Sequence, residues 1–387
     1  MISAGETSGD LHGAYLVKEA KRLAPEMEFF GLGGDEMLNE GVTLTAHLKD
    51  TAVMGLTEVL TSLWRIAKIN LKLRRLLRAE KPAALVLIDS PDFNFPLARQ
   101  AYKLNIPVIY YICPQIWAWR PGRLNFLAKY CARRAVILPF EKDFYEDRGV
   151  AADFVGHPVL DRLAPLSQIA ARRELGLDLR NPYLAILPGS RAKIAKTLLP
   201  LALKAAEILI GKIPRLNFLL PRAQSLEPAL LIKLLRSASP EVAQRLKVFE
   251  GHSPQVLAAA NAALLASGTA AVEGALAGVP MVVAYKVSSL SYFLAKKLVK
   301  VPFIAIPNLL LGRMAIPELI QDKATPPLMA ENLYGFLTEG SKRNQITQDL
   351  KAVTAKLGTP GAAARVVALI QEEINKAKGL KAERLAL

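Results

Sequence analysis

Ala84-Leu85-Val86-Leu87-Ile88-Asp89-Ser90-Pro91-Asp92-Phe93-Asn94 is an apolar run that stops on a carboxylate and turns at once into a proline. A run this short, with no polar alternation, predicts a strand buried on both faces, followed by a helix that Pro91 opens. Similar runs recur on either side of it, separated by longer stretches of helical period. Strands are expected near residues 28–31, 84–89, 107–112, 135–138 and 152–155, and again near 183–187, 216–220, 247–250, 262–265 and 281–285. This alternation predicts an α/β fold: parallel sheets wrapped by helices, in two successive series.

A chain of 387 residues exceeds the ~250–300 residues at which single cores stop growing, so two doubly wound (Rossmann-like) domains are expected. The boundaries fall at 1–165 and 166–355, with a C-terminal helix at 356–387 that packs back on the first domain or on a partner chain. Gly156-His157-Pro158 and the charge-mixed stretch to Pro182 read as the linker and an entering helix. Open α/β sheets bind ligands beyond the carboxyl ends of their strands, so two such domains facing one another are expected to hold a site in the cleft between them. Only three residues precede Ala4-Gly5, so the first strand is expected to be short or clipped.

Hydrophobic residues make up 52% and charged residues 22%, enough apolar surface to rule out a disordered chain. The net charge of +16 favours anionic partners: nucleic acid, an anionic membrane face, or a phosphorylated substrate. Mean hydropathy is +0.23, yet no charge-free run reaches the ~18 apolar residues that spanning a bilayer requires. The N-terminus lacks the pattern of a secretory signal, and Cys113 and Cys131 are too few for a disulfide framework or a zinc site. A cytoplasmic, reducing location is expected, with no metal and no cofactor.

Four segments carry the candidate chemistry. Ala4-Gly5-Glu6-Thr7-Ser8-Gly9-Asp10 is a glycine-containing turn ahead of a helix, where Gly5, Ser8 and Gly9 let a ligand approach backbone amides. Its structural alternative is a tight turn capped by Ser8 or Asp10. Asp89 stands at the carboxyl end of its strand, placed to act as general base on a hydroxyl; Asp92 suits a helix cap better. Leu187-Pro188-Gly189-Ser190-Arg191 offers loop amides and a guanidinium to a departing diphosphate. Ala266-Ser267-Gly268-Thr269-Ala270-Ala271-Val272-Glu273 leaves a helix start bare for phosphate and sets Glu273 one turn in, within reach of a ribose diol. With Arg191, this segment points to a nucleotide sugar.

Between 54 and 81, Val59, Leu63, Ile66, Leu73 and Leu77 recur at helical intervals. Arg65, Lys68, Lys72 and Arg75 fall opposite, and Leu60, Trp64 and Leu71 lie along the margin. An apolar face, a marginal tryptophan and a cationic face describe a helix lying in a membrane interface, with a core helix as the alternative. The expected membrane contacts are Leu60, Leu63, Trp64, Ile66, Lys68, Leu71 and Arg75. A second such region, 290–311, combines Phe293 and Leu298 with Lys296, Lys297 and Lys300. The two tryptophans of Pro114-Gln115-Ile116-Trp117-Ala118-Trp119-Arg120 either line a pocket or close the core.

Taken in order, AGETSGD, AVMGLTEVL, IDSPDFN, PQIWAWR, LPFEKDFY, GHP, LPGSR, LLASGTAAVE, PMVVAYK and IPNLLLGR resemble the lipid A disaccharide synthases, inverting glycosyltransferases of the two-domain GT-B arrangement. The resemblance runs from Ala4 to about Gly312. It implies attack by the 6-hydroxyl of lipid X (2,3-diacylglucosamine 1-phosphate) on UDP-2,3-diacylglucosamine, giving a β-1,6 disaccharide and UDP without a metal. By motif position it implies Asp89 as base, Glu6 on the acceptor or sugar, Arg191 on the diphosphate and Glu273 on ribose. Asn308 and Arg313 would close on the nucleotide. One position departs from the pattern: similar proteins carry a glutamate three residues beyond the loop arginine, where this chain has Ile194.

Two other readings compete. A UDP-sugar epimerase or hydrolase would keep the fold without a lipid acceptor, and the basic amphipathic stretch speaks against it. Nucleic-acid binding would use the charge, but no recognition helix or base-stacking module is legible. A homodimer is left open.

Overall fold

The computed structural model describes residues 1–51, 59–164, 166–299 and 301–386. The chain divides into two units, Met1–Arg162 with Leu357–Leu387, and Leu163–Lys356. The expected boundaries at 165/166 and 355/356 compare with 162/163 and 356/357. Seven parallel strands build the first sheet: β1 (Ile2–Ala4), β2 (Phe30–Gly33), β3 (Thr43–His47), β4 (Leu85–Ile88), β5 (Val108–Tyr111), β6 (Arg133–Val136) and β7 (Asp153–Phe154). Their order is β3-β2-β1-β4-β5-β6-β7, so the winding reverses between β1 and β4.

The period of two along β4 explains how both faces are covered. Leu85 and Leu87 pack with Leu73 and Leu77 of α3 (Val59–Glu80) and Leu97 and Ala101 of α4 (Pro91–Lys103). Val86 and Ile88 face the other way, onto Leu16 and Val17 of α1 (Thr7–Leu23) and Val366, Val367 and Ile370 of the helix Ala362–Ala386. The C-terminal helix is therefore part of the first unit's core. Its first turn is capped by Asp161, which accepts from the amides of Ala362 at 3.3 Å and Ala363 at 3.0 Å. Arg133 holds its middle through Glu373 at 2.8 Å.

The second sheet has six parallel strands: β8 (Tyr183–Leu187), β9 (Asn217–Arg222), β10 (Leu246–Glu250), β11 (Ala262–Ala266), β12 (Met281–Tyr285) and β13 (Glu318–Ile320). The order β10-β9-β8-β11-β12-β13 again reverses after its first strand. Strands β3 and β13 escape the sequence pattern. Thr-Leu-Thr-Ala-His is a half-exposed edge without an apolar run, and β13 is only three residues long with a carboxylate inside it. Among the described residues no helix is long and apolar enough to cross a membrane.

Candidate active site

In an open sheet the point where the winding reverses leaves a crevice at the carboxyl edge. In the first unit, Gly5 follows β1 and Asp89 follows β4, so both loops belong to that crevice. They touch: a Cβ on Gly5 would overlap the side chain of Ser90. Glu6, Thr7 and Ser8 are exposed along the rim, while Gly9 is buried against Ala4 and Ile88.

Asp89 and Ser90 both adopt left-handed backbone, at φ +47° and +44°. For residues with a Cβ this costs ~1–2 kcal/mol each, so the surroundings must hold it. The Asp89 carbonyl accepts from the side-chain amide of Asn94 at 2.8 Å and from the phenol of Tyr110 at 2.6 Å. Asn94 is fixed in turn by donation to the Ile88 carbonyl at 3.2 Å, and its oxygen accepts from the Ser3 hydroxyl at 2.8 Å. Ser3, Asn94 and Tyr110 are fully buried, and burial pushes the Tyr110 phenol well above its ordinary range, which keeps its proton in place. None of the three stood out in the sequence. Ser3, a hydroxyl inside an otherwise apolar strand, was the available signal.

Two capping expectations are corrected. Asp10 caps no helix of its own. Its carboxylate accepts from Gly34 at 2.6 Å, Glu36 at 3.1 Å and Met37 at 3.2 Å, capping α2 (Asp35–Asn39). Asp92 is exposed and pairs with Arg123 instead of capping α4, because the left-handed Ser90 occupies the cap position. Nearby, Trp117 donates to the buried Glu141 at 3.0 Å. Trp119 is partly exposed, with Arg120 stacked 4.1 Å above its ring.

In the second unit the reversal lies between β8 and β11. Gly189 has φ +102°, and a Cβ there would meet Ile194 at 3.0 Å and Ala266 at 3.3 Å, so the loops after the two strands are in contact. Arg191 and Ser190 are exposed, and the Ser190 carbonyl accepts from Ser225 at 2.9 Å. Ser267 donates to the Ile304 carbonyl at 3.2 Å, Gly268 and Thr269 are exposed, and Glu273 accepts from Ser253 at 3.3 Å.

Asn308 is fully buried. Its amide donates to Ile316 at 2.9 Å and Glu318 at 2.8 Å, and its oxygen accepts from the amides of Ala315 at 2.8 Å and Ile316 at 2.9 Å. All four positions of the side chain are used by protein, so it shapes this loop. Arg313 is held by Asp349 in a two-point pair at 3.1 and 2.6 Å.

Along α3 the structure separates two faces. Ile69, Leu73 and Leu77 are buried in the core, and Ile66 is half-buried. Lys68 and Arg75 are exposed, as are Trp64 at 76% and Leu71 at 44%. The face bearing Leu73 and Leu77 thus belongs to the protein interior, and Trp64 with Leu71 form the outer apolar stripe. The segment 52–58 and the side chains of Val59, Leu60 and Leu63 lie outside the described residues, as do Lys300 and the Lys297 side chain. Phe293 and Leu298 are each 55% exposed.

Two doubly wound units, each with small-residue loops at its winding reversal, define an α/β enzyme of the GT-B type. The same architecture is found at TM-score 0.60 and 18% identity in MurG of Acinetobacter baumannii, over 96% of this chain and 99% of that one. A putative UDP-N-acetylglucosamine 2-epimerase of Listeria monocytogenes shares it at TM-score 0.64 and 12% identity, over 97% and 96%. The family model described as lipid-A-disaccharide synthetase matches residues 1–370. The lipid-A-disaccharide synthase of Syntrophus aciditrophicus (strain SB) is 42% identical over 377 residues, 97% of this chain and 98% of its own. The chain belongs to the lipid-A-disaccharide synthase family and is a glycosyltransferase.

Proposed function

We propose that the 6-hydroxyl of 2,3-diacylglucosamine 1-phosphate attacks C1 of UDP-2,3-diacylglucosamine, forming the β-1,6 bond as the bond to the diphosphate breaks. Asp89 takes the hydroxyl proton, and UDP leaves with both bonding electrons, so the configuration at C1 inverts and no covalent enzyme intermediate forms. The observation that supports this most is the clamped left-handed Asp89 at the winding reversal of the first sheet. Backbone strain held by a buried network is a mark of a functional position.

Around that step, Glu6 with the loop of Gly5, Ser8 and Gly9 positions the acceptor. Arg191, the amides of Gly189 and Ser190, and the Ser267-Gly268-Thr269 loop hold the departing diphosphate, supplying the positive charge a metal would otherwise provide. Glu273 receives the ribose. Asn308 and Arg313, each committed to protein partners, hold the shape of the nucleotide loop. The enzyme works on the cytoplasmic side of the inner membrane and meets it through Trp64 and Leu71, flanked by Lys68 and Arg75. An epimerase or hydrolase activity is not favoured, because the family resemblance covers nearly the whole chain.

The test is UDP release from both lipid substrates. Asp89→Asn should lower kcat by ~10²–10⁴, and wild-type turnover should persist in a chelator. Unchanged turnover in the variant would remove Asp89 from the mechanism.

A further inference from the structure

Away from the carboxyl edge, α3, α4 and the helix Leu124–Tyr130 enclose a groove of about 520 Å³. Its cations are Arg74, Arg99, Lys103 and Lys129, its rings Tyr102 and Tyr130, and no carboxylate lines it. Elsewhere on this unit several arginines are balanced by carboxylates: Arg22 by Glu19, Arg123 by Asp92, and Arg133 by Asp153 and Glu373. Among the described residues none of the four groove cations has an ion-pair partner. Aromatic faces hold Arg99 and Lys129 in place. The Arg99 guanidinium lies 5.1 Å from the Phe126 ring and 5.9 Å from that of Tyr130, and Lys129 is 5.4 Å from the latter. Tyr102 braces the same ring edge-on at 5.3 Å. The Nε of Arg74 is buried with no hydrogen-bond partner.

Like charges gathered without counter-charge repel one another, and a buried guanidinium nitrogen without an acceptor is costly. An anion with several acceptor oxygens relieves both. Guanidinium forks and ammonium groups around such a space are the chemistry that recognises phosphate. Arg99 and Lys103 lie eight and twelve residues beyond Pro91 along α4, so at ~1.5 Å per residue they are ~12–18 Å from the Asp89 loop. This phosphate is therefore not the one on either sugar substrate at the catalytic edge.

We propose that the groove binds the phosphate of an anionic phospholipid headgroup. The choice of a lipid follows from continuity. Arg74 stands on the same helix as the exposed Trp64 and Leu71, and Tyr102 at the rim is 51% exposed. A bilayer met by the outer stripe of α3 presents its headgroups to this groove. The inference rests on the membrane reading above and adds a specific site to it.

The experiment is co-sedimentation of the full chain with phosphatidylglycerol–phosphatidylcholine vesicles and with pure phosphatidylcholine vesicles at ~0.15 M salt. Wild type is compared with Arg99→Glu/Lys103→Glu and with Lys233→Glu/Lys247→Glu, a control of equal charge change on exposed residues of the second unit. The groove pair should weaken binding to anionic vesicles by about tenfold or more, the control far less, with UDP release from short-chain substrates intact in both. Equal loss in the two variants would overturn the groove while leaving membrane association in place. Failure of wild type to bind anionic vesicles at all would sink the membrane reading and this inference with it. If millimolar glycerol phosphate or inorganic phosphate raises the Tm of wild type but not of the groove variant, and vesicles do not bind, the lipid assignment is wrong.

Discussion

The side-chain amide of Asn94 donates to the carbonyl oxygen of Asp89 at 2.8 Å, across five residues of chain and wholly out of solvent on the Asn94 side. The bond joins the first turn of α4 to the end of β4, and with the Tyr110 phenol it holds the left-handed backbone of Asp89. Ser3 of β1 completes the network, so the strands flanking the winding reversal share one polar link. Asp89 is thus positioned by its backbone, whichever partner its carboxylate takes.

Asn94→Ala removes the amide that donates to the Ile88 and Asp89 carbonyls, leaving Tyr110 alone on Asp89, and strands the Ser3 hydroxyl. Stability should fall by ~1–3 kcal/mol, the cost of unmade buried hydrogen bonds. If the clamp aims Asp89, kcat should drop by about tenfold or more with little change in KM for the UDP-sugar. Asn94→Asp, isosteric but unable to donate when ionised, should share the kcat defect. A variant with lowered Tm and wild-type kcat would reduce Asn94 to a structural part.

In the second unit the comparable pressure point is Gly189. Its φ of +102° and the 3.0 Å approach of Ile194 leave a Cβ both strained and crowded. Gly189→Ala should push the loop away from Ala266, raising KM for the UDP-sugar by about tenfold while kcat changes less. Steady-state kinetics with the donor varied will separate the two. Ile194 is half-buried against this glycine, so the residue that departs from the family pattern packs the loop instead of presenting a charge.

Legibility in the sequence followed how much of an element's environment is local. Strands such as 183–187 and 262–266 are buried on both sides, so their apolar runs announced them, and the small-residue loops after them followed. The edge strand Thr43–His47 is half wet and looked like loop. Asp10 read as a cap for its own helix, whereas its three donors lie 24 to 27 residues away, a pairing that needs the β1–β2 crossover to be known. Asn308 carried a motif position that suggested ligand contact, yet its partners Ile316 and Glu318 come from a later turn and strand. Ser3, Asn94 and Tyr110 come from β1, α4 and β5, and only the sheet order brings them together.

The two faces of α3 make opposite predictions. Leu73 is fully buried, so Leu73→Ala should cost ~2–5 kcal/mol through lost burial and the cavity left behind. Trp64→Asp and Leu71→Asp alter exposed positions and should leave the Tm within about 1–2 °C of wild type. Both should weaken binding to anionic vesicles. Full vesicle binding in the double Asp variant would exclude this stripe as the membrane contact.

Buried titratable groups give the first unit a pH dependence with two windows of opposite sign. Burial, helped by Arg162, lowers His12 from 6.5 to about 4, and burial with His12 and Arg162 lowers His157 from 6.5 to about 3. Below pH 6.5 the unfolded chain takes up protons that the folded chain refuses, so stability is lost as pH falls from 6.5 toward 4 and 3. Glu141 behaves in reverse. Burial raises it from 4.5 to about 7, against the bonds it accepts from Trp117, Leu138 and Ile137. Between pH 4.5 and 7 the unfolded chain has released a proton that the folded chain keeps, so this contribution declines as pH rises through that range. Denaturant midpoints measured from pH 4 to 8 should therefore respond differently to two variants. His157→Asn should flatten the acid limb below 6.5. Glu141→Gln, destabilised at pH 5 because its NH2 cannot accept where one of the two carboxyl oxygens does, should close the gap to wild type as the pH approaches 8, by an amount on the order of a few kcal/mol. A constant gap across that range would mean that Glu141 is ionised throughout and that its three donors outweigh its burial.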